Sequence, residues 1–246
     1  MIVLGIFLVG GAANAFNQYL ERDIDSRMSR TASRRPLPLG LISPRNALLF
    51  SCFISLLGVG LLFKFGGTLS SLLGLGTILF YSFFYTLWLK PRTPYNIVIG
   101  GIAGAMGPLI GWAAVAGTIE LTPFLMFLII FFWTPPPFWA LALYHQEDYK
   151  KVGLPMLPVV RGEEITRQQI LLYSFTLIPL SVLLYFVSDV LNMIYLSSAL
   201  ALGGLFIWFA LIVYQKKTVQ AYQRLFRYSI GYMMLLYLTM MVDTLL

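Results

Sequence analysis

The sequence predicts an all-α fold, a polytopic bundle of transmembrane helices forming one membrane-embedded domain over residues 1–246. Composition is the first reason. Of 246 residues, 59% are hydrophobic and only 11% are charged, and the mean hydropathy is +0.80. A soluble domain of this size has no use for so much apolar surface. The second reason is grouping, because the apolar residues fall in stretches of about 20, the length that crosses a bilayer at ~1.5 Å per helical residue. The third is the placement of charge in alternate gaps between those stretches.

Eight stretches are expected to span: 1–21, 46–65, 68–89, 95–117, 122–143, 169–188, 191–214 and 228–246. In lipid each backbone N–H and C=O must be satisfied within its own segment, so these are helices. The gap after the first span holds Arg22, Arg27, Arg30, Arg34, Arg35 and Arg45. The gap after the third holds Lys90 and Arg92, and that after the fifth holds Lys150, Lys151, Arg161 and Arg167. Lys216, Lys217, Arg224 and Arg227 follow the seventh, while Lys64 alone lies on the other side. This asymmetry places the charged loops in the cytoplasm, as in a bacterial-type inner membrane, and the C-terminus outside. The same parity starts the chain outside with no basic flank before it, so one further helix is expected upstream of residue 1.

Other classes are excluded. The net charge of +7 follows topology and does not gather into a nucleic-acid face. Cys52, the single cysteine, sits in an apolar stretch, so neither a disulfide framework nor a cysteine metal site is expected. The N-terminus lacks the basic region and small-residue cleavage site of a signal peptide. In the fourth span, Gly100 and Gly104 form a GxxxG pair, read either as close helix packing or as room for a bulky ligand.

The charged residues that remain are concentrated. Residues 17–36 carry three carboxylates and five arginines at the end of an apolar helix. Asn17, Glu21 and Asp25 follow i, i+4, i+8 spacing, which puts them within about 80° on a continuous helix. An amide and two carboxylates on one face suit Mg²⁺, which takes oxygen ligands and is commonly completed by substrate phosphates; a solvated helix end balanced by its arginines has the same spacing. Asp23 points elsewhere. A second acidic cluster, His145-Gln-Glu147-Asp148-Tyr149, follows the fifth span on the same side of the membrane. Two such clusters fit two metals around one diphosphate, neutralising a leaving group. Between them, Lys90 and Arg92 read either as phosphate ligands or as positive-inside anchors, and Asn96 as a residue ordering a ligand. His145, the only histidine, is a candidate for haem ligation or proton transfer, although a lone loop histidine usually does neither.

Four segments together resemble the UbiA-type membrane prenyltransferase superfamily and, within it, the haem O synthase (protohaem IX farnesyltransferase) branch. They are Asn17 to Pro36, with Met28-Ser-Arg30-Thr31-x-x-Arg34; Tyr85-Thr-x-x-Leu-Lys90-x-Arg92-Thr93-Pro94-x-Asn96, leading to Gly111-Trp112; Pro135-Pro-x-Phe138-Trp139, then Asp148-Tyr149 and Pro155-Met-Leu-Pro158; and Leu225-Phe-Arg227-Tyr228-Ser229. The resemblance covers nearly the whole chain. It implies nine helices, a cytosolic active site, farnesyl diphosphate as donor, haem B as acceptor and Mg²⁺ as cofactor. It implies transfer of farnesyl C1 to a haem vinyl group with addition of water, in the biosynthesis of haem for terminal oxidases, with haem A synthase or oxidase assembly as possible partners. Asn17, Glu21, Asp25, Asp148 and Lys90 then take catalytic places, the first four with Glu147 as metal ligands. Arg30, Arg34, Arg92, Asn96, Tyr85, Tyr149 and His145 become candidate substrate contacts, the arginines toward diphosphate or haem propionates.

The chain departs from the family pattern in places. Glu21 stands where Asp is usual and Pro137 where His is usual. His145 and Tyr149 fall where the wider superfamily's DxxxD acids would lie, a departure shared with haem O synthases. Two other functions stand beside the haem reading. One is a UbiA-type enzyme acting on an aromatic quinone precursor, against which the Arg30-Thr31 and Pro155-to-Pro158 segments argue. The other is an inactive, haem-handling or transporting relative, against which charge at one membrane surface, away from the midplane, argues.

Overall fold

The computed structural model describes residues 1–245. Every regular element among them is helical, and seven segments are long and apolar enough to cross a membrane by length and composition. The longest of these, Pro44–Leu89, has 46 residues. Straight, it would run about 69 Å, more than twice the ~30 Å hydrocarbon core. It is not straight. Gly67 adopts φ 79°, ψ −178°, a backbone state open to glycine. Leu62 and Gly74, twelve residues apart, are packed so closely that a Cβ on Gly74 would stand 2.7 Å from Leu62 Cδ1. The chain therefore reverses at Gly66–Gly67. Ser70 Oγ donates to the carbonyls of Leu62 (3.3 Å) and Gly67 (3.1 Å), covering backbone groups that the reversal releases. The segment is a helical hairpin of two passes, and all eight expected stretches are present.

The elements are α1 (Ile2–Leu20), α2 (Arg22–Asp25), α3 (Ser29–Ala32), α4 (Pro44–Leu79), a π-helical segment (Phe80–Leu89), α5 (Asn96–Ala105) and α6 (Gly107–Ala116). There follow α7 (Leu121–Trp133), α8 (Pro135–Tyr144), α9 (Gln146–Lys151), α10 (Leu157–Val160), α11 (Gly162–Val187), α12 (Met193–Lys216) and α13 (Val219–Asp243). The boundaries have local causes. Ser43 accepts from the Asn46 N–H and Pro44 occupies the first turn of α4, a capped start. Pro108 follows the α5–α6 break, and Pro135 to Pro137 fill the first turn of α8, where missing N–H groups have no intrahelical partner to lose. Helices α11 and α13 start several residues before the expected spans because polar first turns extend them beyond the apolar stretch.

The chain forms two compact units. Unit 1 is residues 1–120 together with 147–156; unit 2 is residues 121–146 together with 157–246. In unit 1, α1 packs along α4, with a core of Val9, Ala12, Phe16, Ile54, Leu62 and Ile78. In unit 2, α12 lies against both α11 and α13, and α8 against α11 and α13. Many large apolar side chains point outward, among them Val3, Phe7, Leu56 and Phe186, whereas small polar groups such as Ser51, Ser82 and Ser174 are buried. That inside-out distribution, together with the helix lengths, makes this an integral membrane protein.

Candidate active site

The site is built where α1 ends. Helix α1 stops at Leu20 and Glu21 leaves helical geometry slightly (φ −93°, ψ 4°), yet the hydrogen bonds keep helical spacing. Glu21 N–H donates to Asn17 (2.9 Å) and Asp25 N–H to Glu21 (2.8 Å). Asn17, Glu21 and Asp25 therefore stay on one face across the joint, and all three are buried. Asp23 is exposed and pairs with Arg22 at 3.9 Å.

Two cations serve these acids. Lys90 Nζ donates to Glu21 Oε1 at 2.5 Å. The Arg35 guanidinium donates to Asp25 Oδ2 and lies 3.9 Å from Glu21. Burial pushes the Asp25 carboxyl above the usual carboxylate range, against the opposing pull of Arg35. Asn17 donates its amide nitrogen to Thr86 Oγ1 (3.1 Å), which fixes the amide's orientation. Thr86 in turn donates to the Tyr81 carbonyl, 2.7 Å away.

The π-helical segment explains how Lys90 arrives there. Its N–H donates to the carbonyl of Tyr85, five residues back, the wider register of a π-helix. Asn96, fully buried, donates to the carbonyls of Thr93 (2.9 Å) and Lys90 (3.4 Å) and so closes the loop that follows. Tyr85 is buried against Gly100, where a Cβ would meet its ring at 2.5 Å, and it stacks on Tyr81 with centroids 5.1 Å apart. Nothing stands within 4 Å of a Cβ on Gly104. Of the GxxxG pair, only Gly100 is needed for a close approach.

The second acidic segment joins the same unit: residues 147–156 pack with residues 1–120 although they lie between helices of unit 2 in sequence. Asp148 is buried and accepts a bifurcated hydrogen bond from Ser29 Oγ, which lies 2.8 and 2.6 Å from the two carboxylate oxygens. Lys151 stands 3.9 Å away. Arg30 lies over the Tyr149 ring, 5.8 Å from its centroid. Burial pushes the Tyr149 phenol up, and Arg30, Glu21, Arg35 and Asp148 all act on it. One phenol thus feels both acidic segments.

Several expected residues lie elsewhere. Glu147 is exposed and pairs with Lys150 at 2.8 Å. Arg92 is exposed and turns back onto Trp88, donating to its carbonyl at 2.7 Å. Arg34 is exposed, and it is Arg35, its neighbour, that reaches the acids. His145 caps α8 in unit 2, its ring edge-on to Tyr144 at 4.4 Å. Ser29 and Arg35 were not among the expected site residues. An arginine pair before proline was a visible signal for Arg35, and Ser29 lies inside the Met28-Ser-Arg30 motif, where no role was assigned to it.

The donors suit a hard cation. Among the described residues no three His, Cys, Asp or Glu side chains converge into a metal cage. Two buried carboxylates and an amide could instead supply oxygen ligands of the kind Mg²⁺ takes together with substrate phosphate and water.

A profile of the UbiA prenyltransferase family matches residues 1–237. The chain is 46% identical over 248 residues to the protoheme IX farnesyltransferase of Parvibaculum lavamentivorans, covering 99% of this chain and 77% of that one. It is 47% identical over 240 residues to the proteins of the same name from Bordetella pertussis and Nitrosomonas europaea, covering 98% of this chain and 80% of each. Among solved structures, digeranylgeranylglyceryl phosphate synthase superposes with TM-score 0.76 at 20% identity, over 100% of this chain and 85% of that one. A UbiA homolog from Archaeoglobus fulgidus bound to GPP and Mg²⁺ superposes with TM-score 0.63 at 18% identity, over 97% of this chain and 87% of that one. At these identities the structures speak for the fold. This chain belongs to the UbiA prenyltransferase family and is a membrane-embedded prenyltransferase.

Proposed function

We propose that the protein transfers the farnesyl group of farnesyl diphosphate to a vinyl group of haem B, with addition of water, to make haem O. The observation that carries this reading is 46–47% identity, over nearly the whole chain, to relatives named protoheme IX farnesyltransferase. In the reaction the farnesyl C1–O bond breaks and its electron pair leaves with diphosphate. The vinyl π pair forms the new bond to C1. Water adds to the resulting cation and loses a proton, leaving a hydroxyethylfarnesyl group.

Asn17, Glu21, Asp25 and Asp148 would hold Mg²⁺, whose charge, when bound, offsets the negative charge that builds on the departing diphosphate. Glu147, exposed and bonded to Lys150, has no part in this set. Lys90 and Arg35 already touch the acids and supply positive charge where the diphosphate would sit. Arg30 stands beside Tyr149 as a further anion contact. Ser29 fixes the Asp148 carboxylate, and Thr86 fixes the Asn17 amide. Apolar helices around the site would keep water from the electrophile until C1 is captured.

The 16 basic residues on one side against Lys64 on the other support charged loops in the cytoplasm of a bacterial-type inner membrane and a C-terminus outside. The family match over residues 1–237 supports reading both units as one prenyltransferase domain.

The test is an assay of detergent-purified protein with haem B, farnesyl diphosphate and Mg²⁺, scored by mass spectrometry of the extracted haem. Farnesylated haem is expected. Transfer to a quinone precursor such as 4-hydroxybenzoate, with haem B untouched, would replace the haem reading with an aromatic one.

A further inference from the structure

The segment Leu225–Ser229 resembles the family pattern and has no role in the proposed reaction. It lies in unit 2 on α13, along a seam with α7 and α8 that holds two cavities. The first, about 180 Å³, is lined by Tyr144 from α8 and by Tyr222, Gln223, Phe226 and Arg227 from α13. The second, about 350 Å³, begins one turn further along α13 and is lined by Ile130, Trp133, Ile230, Met233, Met234 and Tyr237.

The two ends differ in chemistry. In the second cavity the polar atoms are already used, since Trp133 Nε1 donates to the Ser229 carbonyl (2.9 Å) and Tyr237 Oη to that of Met126 (3.0 Å). What faces the space is rings, thioethers and branched aliphatics. At the first cavity Arg227 is exposed and makes no ion pair or hydrogen bond among the described residues, and Gln223 and Tyr144 line the space with it.

The length matches one leaflet. Tyr222 to Tyr237 is fifteen residues of helix, about 22 Å. Half the hydrocarbon core is ~15 Å, and one interfacial zone adds roughly 5–7 Å. A polar head with one cation, an apolar tail and this span are the complement of an anionic amphiphile seated in one half of the bilayer.

We infer that the α7–α8/α13 seam is a binding groove for one anionic phospholipid, its phosphate at Arg227 and one acyl chain along Trp133, Met233 and Met234. The inference depends on the protein being membrane-embedded and is independent of the acceptor it prenylates.

Native mass spectrometry of the detergent-purified full chain tests it, with palmitoyl-oleoyl phosphatidylglycerol titrated against the matching phosphatidylcholine. One phosphatidylglycerol should be retained per chain, more tightly than phosphatidylcholine. Arg227→Gln should weaken phosphatidylglycerol about fivefold, the effect of one basic residue at an anionic lipid surface, and leave phosphatidylcholine unchanged. Met233→Trp should weaken both by filling the tail. Arg224→Gln, on the same helix outside the cavity, should change neither. Arg227 is exposed, so its variant tests the groove even where Met233→Trp fails to fold. Equal retention of the two lipids, or an Arg227→Gln variant that binds phosphatidylglycerol like the wild type, overturns the inference. So does stoichiometric displacement of the lipid by haem B or farnesyl diphosphate, which would make the groove a substrate site.

Discussion

Both units carry an ion network at a helix end, and the two bury opposite charges. In unit 1 the acids are inside: Glu21 is 5% exposed and Asp25 3%, while Lys90 and Arg35 reach them from more open positions. In unit 2 the cation is inside. Arg167 is 4% exposed and is held by Glu163 (3.0 Å) and Glu164 (2.8 Å) on its own helix, both about half exposed, and by the Tyr222 hydroxyl at 3.4 Å. In the second, a guanidinium finds two carboxylates at i−4 and i−3 and water reaches the acids, while Arg167 Nε has no hydrogen-bond partner among the described residues. The first concentrates carboxylate oxygens away from water, an arrangement whose folding cost Lys90 and Arg35 offset. Burial pushes the Asp25 carboxyl up toward its neutral form, and the Arg35 guanidinium opposes that push. The two networks thus differ in which charge is buried, carboxylates in unit 1 and a guanidinium in unit 2.

Removing the unit 1 acids should have the largest effect. Glu21→Ala and Asp148→Ala should lower farnesyl transfer by at least ~100-fold, the scale of losing an electrostatic stabiliser, with little change in thermal stability in detergent. Chelating Mg²⁺ with EDTA should do the same to the wild type and be reversed by adding Mg²⁺ back. Either variant retaining near wild-type turnover would remove that residue from the mechanism and erase the contrast between the units.

Ser29→Ala asks for less. It keeps the Asp148 carboxylate and removes the hydroxyl that bonds both its oxygens. Loss of such a supporting partner typically costs 10–100-fold in metal affinity or activity. A rise in the Mg²⁺ concentration needed for half-maximal activity, recovered by Ser29→Thr, would mark a positioning role. An unchanged Mg²⁺ requirement would reduce Ser29 to a surface hydroxyl.

The scaffold behind the acids comes next. At Gly100→Ala the new Cβ meets the buried Tyr85 ring at 2.5 Å, and overpacking of this kind costs about 1–3 kcal/mol. Gly104→Ala opens onto empty space and should be neutral or gain up to ~1 kcal/mol from helix propensity. Melting both variants in detergent checks the difference, and equal melting temperatures would mean that Tyr85 yields without strain.

Much of this was legible in the chain. Hydropathy located eight passes, including the two joined in one helical hairpin, because apolar length is a local property. The spacing of Asn17, Glu21 and Asp25 gave their shared face because i→i−4 bonding persists through Glu21. What depended on the path of the chain was not legible. Residues 33–36 offer two adjacent arginines, and only the turn after α3 decides that Arg35 faces inward. The π-helical register that delivers Lys90 has no signature in an aromatic run that also suits an α-helix. The resemblance ranked Asp148 above Glu147 but kept both as metal ligands; adjacent residues on a helix point about 100° apart, and only Asp148 is buried.

The smallest effect belongs to the unit 2 network, and it is the sharpest check on the comparison. Arg167→Met keeps the long apolar stem and removes the charge. The acids it leaves are half in water and need no partner, so no uncompensated buried charge results. The melting temperature should move by no more than about 2–4 °C, and the transfer rate of the folded protein should not move. Turnover lost at an unchanged melting temperature would mean that a buried cation can be as functional as a buried acid. Unit 2 would then need a place in the chemistry that burial alone does not give it.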